Sequence, residues 1–156
     1  MDGKNIGEHY DVHAAKYNAI QRVLGSTDPA LIKDVILEVP EVASVLSNPD
    51  HLVIDFGCGT GLEGKELRSA GFKKIIGLDA SKEMLNNVPD GIYDEKANFF
   101  LGKDEVPEHL KELADLVTAS GVLVCSHVPV CFIEAMLAFM KKGGYFVFNG
   151  RDSIFQ

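Results

Sequence analysis

With 156 residues, 46% hydrophobic content and 15 Lys and Arg against 23 Asp and Glu, the chain has the size and composition of a single domain, residues 1–156, around one core. The net charge of -8 argues against a broad nucleic-acid surface, which needs a basic stripe, although a local pair such as Lys73 and Lys74 would not show in the total. No apolar run reaches the roughly eighteen residues of a membrane span, MDGKNIGEHYD lacks a signal-peptide core, and Cys58, Cys125 and Cys131 show no CxxC spacing, so a cytoplasmic chain with reduced thiols and no metal site is expected.

Residues 1–50 read as a helical preface. HYDVHAAKYN sets Tyr10 and Tyr17 seven apart on one helix face, and PALIKDVILEV and PEVASVL each open on a proline suited to a first helical turn. The core, 51–156, begins with the strand LVIDF, which runs into glycines at alternate positions, Gly57, Gly59 and Gly61, and then into the short helix LEGKELRSAG. KIIGLDAS is a second strand ending in Asp79, eighteen residues after Gly61. Ser81 can cap a helix SKEMLNNV, which Pro89-Asp90-Gly91 stops. NFFLG, Asn98 to Gly102, is a third strand, PEHLKEL a short helix and ADLVTASGVL a fourth strand. PVCFIEAMLAFMKK is a helix with Val130, Ile133, Leu137 and Met140 on one face, ended by Gly143, and GYFVFNG is a fifth strand. Strands alternating with helices imply an α/β, doubly wound, mostly parallel sheet with helices on both faces.

Strand, glycine turn, helix, strand and acid together describe a nucleoside-binding βαβ unit. The glycines allow close backbone approach, the helix N-terminal amides point back at the ligand, and a carboxylate at Asp79 can accept two ribose hydroxyls. Gly59-x-Gly61-x-x-Gly64 also fits the dinucleotide fingerprint, so NAD stays open on this pattern alone. The alternate glycines, Asp55 two residues before the first of them, and about fifty residues ahead of the strand favour S-adenosylmethionine.

The words DFGCGTG, LDASKEML and KKGGYFVF, in this order, resemble motifs of class I S-adenosylmethionine-dependent methyltransferases over residues 5–150. YDVHAAKYN, DFGCGTGLEGKELRSAGF, GLDASKEML, GIYDE, LGKDEVP, HVP and KKGG narrow this to a resemblance to the methyltransferase-like proteins of the Williams-Beuren syndrome chromosome region. The resemblance implies a Rossmann-like sheet of order 3-2-1-4-5, S-adenosylmethionine as cofactor and methyl transfer as the reaction, but no acceptor; the acidic charge balance leaves a small molecule, the leading expectation, or a protein. It also implies two strands after the fifth, whereas this sequence stops six residues after Gly150. Strands 6 and 7 would then be missing, catalytic competence would be in question, and the strand 5 edge would be covered by a second copy in a homodimer or by the N-terminal segment.

By the same resemblance, the turn Gly57, Cys58, Gly59 and Gly61 lies against the methionine and ribose moieties, and Asp55 orients that turn or accepts the cofactor's ammonium. Asp79 takes the ribose hydroxyls or caps the next helix. Ala80 and Met84 wall the adenine, with Met84 equally suited to core packing, and Gly102, Lys103 or Asp104 lines the adenine edge. Ser120 and Gly121 sit where strand four runs out, at the ligand-binding edge of such sheets. Tyr10 and Tyr17 form a lid or a packing stripe. His127 is a candidate general base or a helix cap, and Cys58 and Cys125 read as small apolar fillers. Two alternatives accompany methyl transfer: a catalytically silent cofactor-binding or partner module, and an NAD-dependent oxidoreductase.

Overall fold

The computed structural model describes residues 11, 16–17, 28–123 and 130–150. Five parallel strands, β1 (Leu52–Phe56), β2 (Lys74–Asp79), β3 (Glu95–Asn98), β4 (Ala114–Leu123) and β5 (Met140–Gly150), form one sheet in the order β3-β2-β1-β4-β5. The order reverses between β1 and β4, which opens a crevice at their carboxyl ends. The helices are α1 (Asp28–Glu38), α2 (Pro40–Ala43), α3 (Leu62–Ala70), α4 (Lys82–Asn86) and α5 (Val130–Leu137).

Alternation along the strands divides the core between two faces. Val53, Ile75, Leu116 and Val147 meet Ile32 and Ile36 of α1 and Leu67 of α3 on one face. Ile54, Phe56, Ile76, Leu78, Val117 and Ala119 meet Met136, Phe139 and Phe99 on the other. There Phe56, Phe99 and Phe139 pack edge to face, with centroids 5.0–6.1 Å apart. Two positions on the first face break the apolar alternation: Asp55 of β1 and its register neighbour Thr118 of β4, both buried.

The helix over SKEMLNNV forms as expected, with the Ser81 hydroxyl accepting the Met84 amide at 3.1 Å. α3 ends as its sequence implies, on Gly71 in the left-handed region at φ 111°.

Three expectations are corrected. The third strand is Glu95–Asn98, not Asn98–Gly102: Asp94 accepts the Ile75 amide at 2.8 Å and starts the pairing earlier, while Asp104 accepts the Phe100 amide and turns the chain away. The last helix stops at Leu137, because Ala138 and Phe139 carbonyls accept from Glu112, Leu113 and Ala114 ahead of β4. Met140 therefore opens β5, Met136 and Phe139 are the buried residues, and Ile133 and Leu137 are exposed. Gly143, at φ 83°, lies within a bulge of β5, where Ala114 pairs with Met140 but Leu116 with Tyr145. PEHLKEL yields only a 3-10 turn, Glu108–Leu110.

Candidate functional site

The glycine turn is built by backbone bonds from the neighbouring strand. Gly57 and Cys58 amides donate to the Leu78 carbonyl at 2.8 and 3.1 Å, which bends the chain over the carboxyl end of β2. Gly57, Gly59 and Gly61 all have positive φ, at 64°, 53° and 85°. Val122 of β4 packs so tightly on Gly57 that a Cβ there would lie 2.3 Å from its Cγ2. Gly59 faces open space instead, where the nearest atom to an added Cβ is the Gly57 carbonyl oxygen at 3.9 Å.

Asp79 locks this turn from the side. Its Oδ2 accepts the Gly59 amide and its Oδ1 the Ser81 amide, each at 2.8 Å. Burial raises its pKa and these two amides oppose the rise, while Asp11 adds a further raising charge. Asp11, ahead of α1 in the chain, reaches the same place, accepting from the Ser81 hydroxyl and from the Glu83 amide.

Beneath the turn lies a row across the sheet, Gly77, Asp55 and Thr118, set by strand register. Gly77 has no side chain, and Tyr93 fills its place: a Cβ at Gly77 would lie 2.9 Å from the Tyr93 ring, and one at Gly64 of α3 only 2.4 Å from it. So wedged, the Tyr93 hydroxyl donates to Asp55 Oδ2 at 2.6 Å. Burial pushes the Asp55 carboxyl up to about 7, with the Asp79 charge adding and the Tyr93 and Thr118 hydroxyls opposing.

Glu63, in the first turn of α3, is 4% exposed and shares this space. Burial, then the Asp55 charge, holds its carboxyl well above the usual range. Thr118 and Ser120 hydroxyls favour its ionised form without closing a hydrogen bond of normal geometry. Burial likewise pushes the Tyr93 phenol and the Cys58 thiol up, consistent with Cys58 as an inert filler.

The structure thus brings Asp55, Gly57, Cys58, Gly59, Gly61 and Asp79 together at the carboxyl edge. Ala80 follows Asp79 there half-buried, and Met84, 2% exposed, lies on the buried face of α4. Gly102, Lys103 and Asp104 form the exposed turn after β3, with Lys103 over the Phe100 ring. Ser120 and Gly121 begin where regular pairing of β4 breaks off after Ala119, and Asn149 accepts the Gly121 amide. Tyr17 is helical and half-buried. Tyr10, Cys125 and His127 lie outside the described residues.

Sequence reasoning missed Glu63, Tyr93 and Thr118. Glu63 reads as an ordinary first-turn acid favoured by the helix dipole, and its burial follows from tertiary packing alone. A usable signal was the pairing of Gly64 and Gly77 with an aromatic, since two side-chain-free positions facing each other across layers leave room for a ring.

A parallel 3-2-1-4-5 sheet with its glycine turn and acids at the switch point defines a nucleoside-binding Rossmann-like domain. The chain belongs to the methyltransferase-domain family, whose pattern matches residues 26–153. It is 32% identical over 138 residues to human methyltransferase-like protein 27, covering 86% of this chain and 53% of that protein. It is 35% identical over 99 residues to the tRNA U34 carboxymethyltransferase of Colwellia psychrerythraea, covering 61% of this chain and 30% of that protein. The chain therefore spans about half or less of the length of these relatives. Among solved structures, S-adenosylmethionine-bound CalS10, an amino pentose methyltransferase from Micromonospora echinaspora, shares the fold with a TM-score of 0.60 at 21% identity, over 86% of this chain and 56% of that one.

Proposed function

We propose that the chain binds S-adenosylmethionine at the carboxyl edge of β1, β2 and β4 and directs methyl transfer to a small-molecule acceptor. The observation that carries this reading is the Asp79 carboxylate, fixed by the Gly59 and Ser81 amides beside an open glycine turn. Each of its oxygens accepts one amide and keeps lone-pair capacity for a ribose hydroxyl. The residues fit the cofactor: Gly59 leaves the backbone bare where a ligand approaches, and Asp55 Oδ1 and both Glu63 oxygens are buried without partners beneath the turn. When bound, the cofactor would supply an activated methyl group on a sulfonium. The chain's part is to hold the adenosyl group through Asp79 and the glycine turn and to align the acceptor, a contribution that in oriented reactions reaches roughly 7 to 11 kcal/mol.

The acidic balance, 23 against 15, supports a small acceptor over a nucleic acid, because a polyanion would meet net repulsion. CalS10, by its name, methylates an amino pentose, whereas the Colwellia relative is named for a tRNA.

Calorimetric titration with S-adenosylmethionine, S-adenosylhomocysteine and NAD tests the cofactor reading. The adenosyl pair is expected to bind and NAD is not. Asp79→Ala is expected to weaken the adenosyl ligands tenfold or more, given roughly 1.5 to 3 kcal/mol for a hydrogen bond to a charged group. Tight NAD binding, or adenosyl affinity untouched by Asp79→Ala, would overturn it. Labelled methyl transfer into small-molecule, RNA and protein fractions then separates the acceptor classes. Cofactor binding without label in any fraction would instead support the silent module.

A further inference from the structure

β4 departs from regular pairing at the end that faces the crevice. Its register with β5 runs from Ala119 opposite Phe148 to Leu123 opposite Gly150, so Ser120, Gly121 and Val122 stand against Asn149 alone. A regular ladder would set one residue against one. The surplus makes a bulge, which bends the strand and re-aims its side chains.

A bulge takes backbone groups out of the ladder, and each then needs another partner. For the Gly121 amide that partner is a side chain: Asn149 Oδ1 accepts it at 2.7 Å. Asparagine is a poor strand former, and this clamp gives it a role at the end of β5. Gly121 takes φ 68°, and a Cβ there would meet nothing within 4 Å, so neighbouring side chains do not hold its place. The next residue does pack. Val122 covers Gly57, its Cγ2 lying 2.3 Å from where a Gly57 Cβ would be.

The glycine turn is therefore held from two sides. On one, the Leu78 carbonyl accepts the Gly57 and Cys58 amides, and Asp79 accepts that of Gly59. On the other stands Val122, placed by the bulge. Asn149 lies one strand farther out, since β4 separates β5 from β1, and its line to the turn runs through Gly121 and Val122. We infer that Asn149 is a positioning residue for the cofactor's glycine turn, acting through the clamped bulge. The inference rests on the cofactor reading above and extends that site to β5. Without the clamp the bulge loosens, Val122 leaves Gly57, and ordering the turn falls to the ligand, which lowers affinity without removing a ligand contact.

The test is calorimetric titration with S-adenosylhomocysteine, together with amide hydrogen exchange at Gly57 and Gly59 in the free chain. Asn149→Leu and Val122→Ala are each expected to weaken the ligand about threefold to tenfold, the range that the net worth of one hydrogen bond spans. The double variant should bind no more weakly than the weaker single one, because both remove the same support. Asn149→Asp keeps an oxygen for the Gly121 amide and should restore the parent's affinity. Both glycine amides should exchange faster in Asn149→Leu and Val122→Ala and as in the parent in Asn149→Asp. Asp115→Ala, at the amino end of the sheet, controls for general loss of stability: it should melt earlier and bind like the parent.

Parent affinity in Asn149→Leu overturns the inference, as do losses that add in the double variant. Asn149→Asp binding as weakly as Asn149→Leu also overturns it, since the clamp needs only an acceptor. Should Asn149→Leu fail to fold, Val122→Ala decides: ligand affinity and glycine exchange both equal to the parent's refute the route through Val122. A parent chain that does not bind S-adenosylhomocysteine overturns the cofactor reading instead, and the exchange rates of the free chain still decide whether Asn149 holds the turn.

Discussion

Gly64→Ala offers a sign test of the wedge that holds Asp55. In an exposed helix the change would stabilise by roughly 1 kcal/mol, because alanine is the better helix former. Here the new Cβ would lie 2.4 Å from Tyr93 Cζ and 2.5 Å from its hydroxyl oxygen. That is about an ångström short of contact distance. The ring cannot retreat, since its far edge already lies where a Gly77 Cβ would be, 2.9 Å from Cδ2. Overpacking costs about 1 to 3 kcal/mol, and loss of the Tyr93 donation to the buried Asp55 carboxyl costs about 1.5 to 3 more. After subtracting the helix gain, roughly 1.5 to 5 kcal/mol of destabilisation remains, which lowers Tm by about 3 to 20 °C in a domain of this size. Thermal melts followed by circular dichroism would measure it, in the parent and in a Tyr93→Ala background. With the ring gone, Gly64→Ala should become neutral or mildly stabilising. A Gly64→Ala chain as stable as its parent, or an equal loss in both backgrounds, refutes the wedge.

Stability should also fall as pH rises from about 4, through the window ending at the Asp55 value of about 7. The native chain holds protons on Asp55 and Glu63 that the unfolded chain has lost, so the unfolding free energy drops by up to about 1.4 kcal/mol per pH unit per group. Urea titrations at pH 5 and pH 7.5 would show it, and Asp55→Asn should flatten the difference; a parent chain more stable at the higher pH contradicts the assignment. At the opposite end of the sheet, Asp115→Ala removes the acceptor of the Leu52 amide and the partner of Lys141, and should cost about 1 to 3 kcal/mol without changing affinity for S-adenosylhomocysteine. An affinity change comparable to that of Asp79→Ala would show that the two ends of the sheet are coupled.

The parts of this fold legible in the sequence are those governed by local rules. Gly57, Gly59 and Gly61 turn the chain because only glycine adopts their φ cheaply, and Ser81 caps because its hydroxyl reaches the Met84 amide three residues on. Asp79 reaches the glycine turn because strand order puts β2 beside β1. The errors come from contacts between distant segments. Periodicity alone carries the last helix on to Met140, but the Phe139 carbonyl is taken by amides preceding β4, a competition no helical pattern encodes. Glu63 was illegible for the same reason: the acid looks solvated on its own helix, and only the docking of α3 over β1 and β4 buries it.

Comparing the two ends of the sheet separates scaffold from site. Asp115, at the amino end, is buried like Asp55, yet its oxygens are engaged: Oδ2 accepts the Leu52 amide, and Lys141 with His51 faces Oδ1. It joins the starts of β1, β4 and β5, and neither of its oxygens is left without a partner. Asp55 and Glu63, at the carboxyl end, are as deeply buried and left with three open oxygens. Packing considerations alone would favour apolar side chains at both positions, since an unpartnered buried polar group costs about 1 to 3 kcal/mol. The fold closes the buried acid at one end of the sheet and leaves two open at the other, and the open pair stands where the strand order reverses and where the glycine turn leaves its backbone bare. That coincidence of position is what makes the unpaired carboxyls evidence of a ligand rather than a flaw in packing.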